Sequence, residues 1–228
     1  MSTPASPSTV FPLIRHLSTR VTPLLARSPI SANQITSASL VVGLGACAAI
    51  LEGCWEGTVA GAVLLVIFYV LDNCDGEIAR VKNQTSEFGM HFDTFVDWIV
   101  HTAFFAALGH AVTATTGEVV WMWLGWTAAA GGTLNYAISL VLIARQRRLA
   151  GSDYDPTGLT AMVEAKSPET IRDWFVYAYR ELSRADFCFI VLALALFDVV
   201  WVLVPLGAVG SQVYWLAQLI RGARDFHV

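Results

Sequence analysis

Charged residues are scarce in this chain, and cysteine is scarcer still. Lys, Arg, Asp and Glu together make up 14% of the 228 residues, whereas hydrophobic residues make up 55%. Such a composition excludes an ordinary soluble domain, in which about 25% of residues are charged, and is typical of a protein with several membrane spans. The four cysteines show neither the spacing of a metal site nor a disulfide pattern, so we interpret them as small apolar residues.

The few acids are unevenly distributed, because four of them fall in a segment that is apolar on both sides. Asp72, Asp75, Asp93 and Asp97 lie between the runs GAVLLVIFYVL and WIVHTAFFAALG. Acidic side chains at membrane depth are costly and need a compensating partner. Asp72 and Asp75 are three residues apart, so they share one face of a helix. The second pair is four residues apart and also shares a face.

The spacing of the two pairs favours a divalent cation as that partner. The polar stretch 82–87 predicts a turn, which would make the two helices antiparallel neighbours with facing acids. Carboxylate oxygens suit Mg²⁺ or Mn²⁺, and four of these groups are enough for two ions about 3.5–4 Å apart, as in phosphoryl transfer. Gly76 leaves room for a ligand at the backbone. Arg80, one turn beyond, could pair with a phosphate.

These residues also carry a family pattern. The stretch 72–97 matches D-x2-D-G-x2-A-R-x8-G-x3-D-x3-D at every fixed position. The chain therefore resembles the CDP-alcohol phosphotransferases. The resemblance implies a membrane enzyme that passes a substituted phosphate from a CDP-linked donor to an alcohol acceptor and releases CMP.

The resemblance further implies a role for each motif residue. Asp72, Asp75 and Asp93 would bind two Mg²⁺ or Mn²⁺ ions. Asp97 would be a fourth ligand that doubles as general base on the acceptor hydroxyl. Contacts to the CDP portion are expected from four motif residues and one residue outside the motif: Gly76, Ala79, Arg80, Gly89 and Thr36.

The segment that opens the first span matches the family only in part. The family often has Pro-Asn-x-x-Thr here, and this chain has Asn33 and Thr36 but Ala32 in place of the proline. Both polar residues could bind the cytidine or its phosphates, or cap the helix. We favour capping for Asn33 and leave both roles open for Thr36.

Basic residues near the same side are candidates for binding an acceptor phosphate. In relatives that use a phosphorylated acceptor, basic residues around this side bind that phosphate. The candidates here are Arg145, Arg148, Arg184 and Arg221. They belong to no motif, so this expectation follows from the resemblance alone.

Long apolar runs predict an all-α polytopic membrane protein with six transmembrane helices. At ~20 residues per span, we place them at 35–52, 57–80, 89–113, 119–146, 186–203 and 206–223. An amphipathic stretch at 10–27 predicts an N-terminal interfacial helix that lies on the membrane surface or packs on the enzyme. The predicted division is a disordered start with this helix, 1–28, and a six-helix transmembrane CDP-alcohol phosphotransferase domain, 29–228.

Basic residues predict the orientation of these spans. All fourteen Lys and Arg residues fall in segments that the predicted topology places on one side, which the positive-inside rule makes cytoplasmic. The active site and both termini would then face the cytoplasm, at the inner membrane if the protein is bacterial. The small-residue run 128–132 predicts close helix packing within the chain or across a dimer, and the resemblance suggests a homodimer.

The sequence leaves alternatives open for the substrates and for the class of protein. CDP-diacylglycerol is the first expected donor, which would place the protein in phospholipid biosynthesis with membrane lipids as partners. A soluble CDP-polyol such as CDP-inositol, with a polyol-phosphate acceptor, is the second, because CDGEIAR and FGMHFDTFVD are more similar to the inositol-phosphate-using branch of the family. A divalent-cation transporter is the alternative of another class and would place the acids in a pathway open to both faces. No nucleic-acid partner is expected.

Overall fold

The computed structural model describes residues 12–150 and 186–224, and within these ranges the chain is helical and contains no strand. The helices are α1 (Leu13–Ala26), α2 (Ala32–Leu51), α3 (Trp55–Val81), α4 (Glu87–Thr116), α5 (Val120–Ala150), α6 (Phe187–Leu196) and α7 (Leu203–Arg224), with a 3-10 turn at Val200–Val202. The predicted all-α class is therefore confirmed for the described ranges.

Five segments of the described chain are long and apolar enough to cross a membrane. They are α2, α3, α4, the part Val120–Arg145 of α5, and Val200–Ile220. The fifth predicted span contains α6, which has ten residues and is about 15 Å long, half the thickness of a hydrocarbon core of roughly 30 Å. The structure thus supports a polytopic membrane protein, and the count of six spans stays a prediction.

The break between the last two helices lies earlier than predicted. The predicted spans 186–203 and 206–223 place a loop near 204–206, but the helix is interrupted before residue 200, where Asp198 adopts a left-handed conformation with φ 57°. Pro205, which falls in the predicted loop, lies in the first turn of α7. Proline is tolerated there because the amide groups of a first turn have no partner within the helix.

The helix α2 occupies the centre of the fold and packs against both α3 and α4. A Cβ added to Gly43 would lie 2.6 Å from the side chain of Val100 on α4 and 3.0 Å from Phe68 on α3. Both of those side chains are fully buried. The backbones of α3 and α4 seldom approach each other closely, so the two acid-bearing helices are joined largely through α2.

The turn between α3 and α4 is tied to the segment before α2. Asn83 has a φ of 54°, and the amide of Gln84 donates to the carbonyl of Ala79 at 2.8 Å, a pattern that ends helices at a left-handed residue. Lys82 Nζ donates to the carbonyl oxygen of Ile30 at 2.7 Å. These bonds hold the acid-bearing ends of both helices near the start of α2.

The amphipathic helix α1 packs on α3 through buried polar side chains. Glu77 accepts hydrogen bonds from Ser18 Oγ at 2.8 Å and from Thr22 Oγ1 at 2.5 Å. At the start of α1, the buried carboxylate of Asp186 accepts from the amide of Ile14 at 2.8 Å, where a negative charge is favoured by the helix dipole. This packing agrees with one of the two predicted placements of the helix. Its contact with a membrane surface stays a prediction, and residues 1–9 lie outside the described ranges.

The helix α5 runs along α4 and carries the small-residue run. Arg147 forms an ion pair with Glu87 at 2.5 Å, and the rings of Trp98 and Tyr136 stack with their centroids 4.9 Å apart. A Cβ added to Gly131 would crowd side chains of α7. At this position the small-residue run packs within the chain, and the homodimer stays a prediction.

Candidate active site

The helices α3 and α4 bring three of the predicted acids together. One carboxylate oxygen each from Asp72, Asp75 and Asp93 lies within 4.8 Å of the others. The first two residues are one turn apart near the end of α3, and the third lies near the start of α4. Because a short turn joins these two helix ends, Asp93 of α4 lies close to Asp72 and Asp75 of α3.

Two oxygens of this group have no hydrogen-bond partner among the described residues. They are Oδ1 of Asp72 and Oδ1 of Asp93, and both are buried. An unpaired buried carboxylate oxygen costs free energy, and neighbouring like charges add to that cost. A divalent cation would offset both, and a donor set made only of carboxylates suits a hard ion such as Mg²⁺ or Mn²⁺. The residues present therefore fit such an ion.

The third acid, Asp75, has a partner on α2. Thr36 Oγ1 lies 2.5 Å from Oδ2 of Asp75 and 3.1 Å from the carbonyl oxygen of Ala32. Both oxygens are acceptors and the hydroxyl has one proton, so the shorter contact, to the charged group, takes it. Thr36, whose role the sequence left open, is thus a direct hydrogen-bond partner of a motif carboxylate.

The start of α2 is capped by Ser31. Its Oγ accepts from the amide of Gln34 at 3.3 Å, and the side chain of Gln34 accepts from the amide of Ser31 at 2.9 Å, which is a capping box. The capping role predicted for Asn33 is therefore wrong. Asn33 instead faces α4, where its Oδ1 would lie 3.1 Å from a Cβ added to Gly89.

The remaining motif residues lie around the same end of α3 and α4. Among described residues, a Cβ added to Gly76 would meet only Arg80, at an ordinary 3.6 Å, so this face of α3 has room for a ligand. Ala79 and the exposed Arg80 follow in the last turn. The amide of Gly89 donates to Ser86 Oγ at 3.0 Å and so begins α4. The structure thus brings all four predicted CDP-contact positions of the motif to one region.

Asp97 lies one turn beyond Asp93 on α4 and is not among the acids gathered within 4.8 Å. Its carbonyl oxygen lies 2.7 Å from Nδ1 of His101, and Nε2 of that ring lies 2.7 Å from Oη of Tyr69 on α3. Neither His101 nor Tyr69 belongs to the motif, so the sequence pattern assigned no functional role to either residue. The sequence did contain a signal that His101 lies near the acids, because positions 93, 97 and 101 share one helical face.

Two of the four predicted acceptor residues are described. Arg145 and Arg148 are exposed near the C-terminal end of α5, on either side of the arginine that pairs with Glu87. They therefore lie at the same end of the bundle as the α3–α4 turn. Arg184 and the side chain of Arg221 lie outside the described residues.

An apolar groove of about 520 Å³ runs between α1 and α3. Its lining consists of Leu17, Arg20, Val21, Val66, Ile67, Val70 and Leu71. The last two of these directly precede Asp72. An apolar surface therefore reaches the position where the acidic group begins.

Comparison with known proteins gives a family match over most of the chain. The family model "CDP-alcohol phosphatidyltransferase" matches residues 29–220. A "Bifunctional IPC transferase and DIPP synthase" of Thermococcus kodakarensis is 31% identical over 122 residues, which are 54% of this chain and 26% of that protein. A protein of the same name from Aquifex aeolicus is 30% identical over 118 residues, 52% of this chain and 25% of its own length. Each match thus spans about a quarter of the relative.

Proposed function

The chain belongs to the CDP-alcohol phosphatidyltransferase family, and from this premise we propose that it is a metal-dependent membrane transferase. It would move a substituted phosphate group from a CDP-linked donor to the hydroxyl of an alcohol acceptor and release CMP. The observation that carries this proposal is the convergence of Asp72, Asp75 and Asp93 within 4.8 Å, at positions of a motif that matches the family at every fixed residue.

The acids would hold the ions. The proposed ligands of two Mg²⁺ or Mn²⁺ ions are Asp72, Asp75, Asp93 and Asp97. When bound, such ions neutralise charge on the diphosphate and on the leaving CMP. Thr36 would keep the carboxylate of Asp75 directed at the site through its 2.5 Å hydrogen bond.

The CDP portion would lie against Gly76, Ala79, Arg80 and Gly89. The space beside Gly76 supports a close approach of the diphosphate to the backbone of α3. The guanidinium of Arg80 would donate to the phosphate oxygens. Asn33, whose Oδ1 would lie 3.1 Å from a Cβ added to Gly89, would meet a polar part of the same ligand.

Asp97 would act as general base. It would accept the proton of the acceptor hydroxyl as that oxygen attacks the phosphorus, while the bond from phosphorus to the CMP oxygen breaks. Its position one turn beyond the three gathered acids supports this second role in addition to metal binding. If the acceptor carries a phosphate, Arg145 and Arg148 are the described candidates to bind it.

Two donors have separate support. CDP-diacylglycerol is supported by the apolar groove between α1 and α3, which could receive part of an acyl chain beside Asp72. A soluble CDP-polyol such as CDP-inositol is supported by the two relatives, both named as IPC transferase and DIPP synthase. In either case we propose that the site and both termini face the cytoplasm, because the positive-inside rule places the side that carries the basic residues there.

The test is CMP release by the purified chain in detergent. CDP-diacylglycerol would be supplied with glycerol 3-phosphate, serine, inositol, inositol 1-phosphate or choline, and CDP-inositol with inositol 1-phosphate, each with Mg²⁺, Mn²⁺ or EDTA. Metal-dependent release with one donor and acceptor would support the proposal and identify the substrates. Absence of release together with absence of CDP binding would contradict it and would favour cation transport.

A further inference from the structure

A hydrogen bond between Tyr69 and His101 joins the two acid-bearing helices beneath the site. Oη of Tyr69 lies 2.7 Å from Nε2 of His101, and Tyr69 is 5% exposed. Tyr69 precedes Asp72 by one turn of α3, and His101 follows Asp97 by one turn of α4. The bond therefore crosses between α3 and α4 at the first level inward from the carboxylates.

The second ring nitrogen of His101 is bonded to the backbone of α4. Nδ1 lies 2.7 Å from the carbonyl oxygen of Asp97. Because a carbonyl oxygen only accepts, Nδ1 donates to it, and Nε2 is left to pair with the tyrosine hydroxyl. Phe68 and Phe187 flank the ring, with centroids 6.4 Å and 6.5 Å away. With both nitrogens bonded and two aromatic neighbours, the imidazole has a defined orientation.

The packing of α3 and α4 makes the hydrogen bond between Tyr69 and His101 important for their relative position. The backbones of α3 and α4 seldom approach each other closely, and α2 packs against both of them. The hydrogen bond between Tyr69 and His101 connects the two helices next to the acids. It therefore affects the distances between the carboxylates. Groups that orient metal ligands from outside the ligand set typically change metal affinity by about 10–100-fold when removed.

We propose that Tyr69 and His101 are positioning residues of the cation site. Their hydrogen bond fixes the separation and rotation of α3 and α4 at the level of Asp72 and Asp97, and so sets the spacing of the carboxylates that bind the ion. The inference rests on the proposed function in one respect, that these acids hold a divalent cation. The two residues act through the helices and not by touching the substrate.

Manganese binding tests this directly and without any substrate. Electron paramagnetic resonance of Mn²⁺ titrated into the full chain in detergent gives the dissociation constant for the wild type and for each variant. Tyr69→Phe removes only the hydroxyl, and we expect it to weaken Mn²⁺ binding by about 10-fold. His101→Phe should have a similar effect. The double variant should be no weaker than the weaker single variant, because both changes remove the same bond.

The chain offers a matched control at the other end of α4. Trp126 Nε1 on α5 donates to His110 Nε2 at 3.1 Å, which is also an aromatic–histidine bond between two helices. His110 lies thirteen residues beyond Asp97, which is about 20 Å along the helix. Trp126→Phe should therefore leave Mn²⁺ affinity unchanged, while its midpoint of thermal unfolding measures what the loss of one such bond costs the fold.

The outcomes separate this inference from the function on which it rests. Weaker Mn²⁺ binding in Tyr69→Phe, with turnover restored to within about twofold by saturating Mn²⁺, would support positioning. Wild-type affinity in both single variants would overturn the inference and leave the proposed function intact. An equal loss in Trp126→Phe would also overturn it. A wild-type chain that binds no Mn²⁺ would overturn the cation site itself.

Discussion

The hydroxyl of Thr36 on α2 donates a 2.5 Å hydrogen bond to the carboxylate of Asp75 on α3. Both residues are buried, at 3% and 5% exposure. The helix α2 contributes no acid, yet it orients one of the acids through this bond and packs against both helices that carry the others. Three helices, α2, α3 and α4, therefore build the candidate site, although the motif residues lie only on α3 and α4.

Replacing Thr36 with Val tests this bond, because valine keeps the shape and removes the donor. We expect Thr36→Val to lower the free energy of unfolding by about 1–3 kcal/mol, since a hydrogen bond to a charged group is lost from a buried carboxylate. Thermal unfolding would measure this loss of stability, and CMP release in detergent would measure turnover. Thr36→Ser, which retains the hydroxyl, is the control, and equal behaviour of the two variants would show that the bond contributes nothing.

Loss of the proposed general base should abolish turnover without unfolding the protein. We expect Asp97→Asn to reduce the rate of CMP release about 100-fold or more, because general-base catalysis contributes 10²–10⁴-fold. The control is Asp198→Asn, at an exposed acid outside the site whose left-handed conformation (φ 57°) asparagine tolerates. Rates near that of the wild type in Asp97→Asn would assign the base to another group.

The apolar groove provides a test of the donor. Ile67 lines the groove and is 43% exposed, while Val63, one turn earlier on α3, is 45% exposed and lies outside the lining. We expect Ile67→Trp to raise KM for CDP-diacylglycerol several-fold, because the ring would fill the groove, and to leave KM for CDP-inositol unchanged. Val63→Trp should change neither constant. A KM for the lipid donor that is the same in both variants would exclude the groove as its site.

Two glycines of α2 should respond in opposite ways to alanine. A Cβ on Gly43 would lie 2.6 Å from Val100, whereas a Cβ on Gly45 would meet no atom of the described residues within 4 Å. Gly43→Ala should therefore destabilise the fold by about 1–3 kcal/mol through overpacking, and Gly45→Ala should stabilise it by about 0.5–1 kcal/mol through helix propensity. Thermal unfolding of the two variants would measure the difference, and matching midpoints would contradict the close packing of α2 between α3 and α4.

Periodicity and local patterns predicted much of this structure. The spacing of Asp72 and Asp75 defined one face of a helix, and the polar stretch 82–87 predicted the turn that joins it to Asp93. Those inferences succeed because helix geometry converts sequence spacing into direction. The capping box was equally local, since Ser31 and Gln34 have its spacing, yet the family pattern drew attention to Asn33 instead.

Contacts between distant helices could not be predicted in this way. The sequence shows that Tyr69 and His101 lie on the faces of their helices that carry acids, but not which atoms meet across the gap. Thr36 is a similar case, because its partner depends on how α2 crosses α3. The break predicted near 204–206 was misplaced for a different reason: it followed from a typical span length, which does not locate the residue at which a helix ends.

The bond between Asp186 and Ile14 has a consequence for the order of biosynthesis. The two residues are 172 positions apart, and at about 5–20 residues per second the ribosome needs on the order of ten to thirty seconds to add that length of chain. During this interval the first amides of α1 lack the carboxylate of Asp186 as their hydrogen-bond acceptor. The amphipathic helix α1 is made early, but it can form this bond only after the segment that begins α6 has been synthesised.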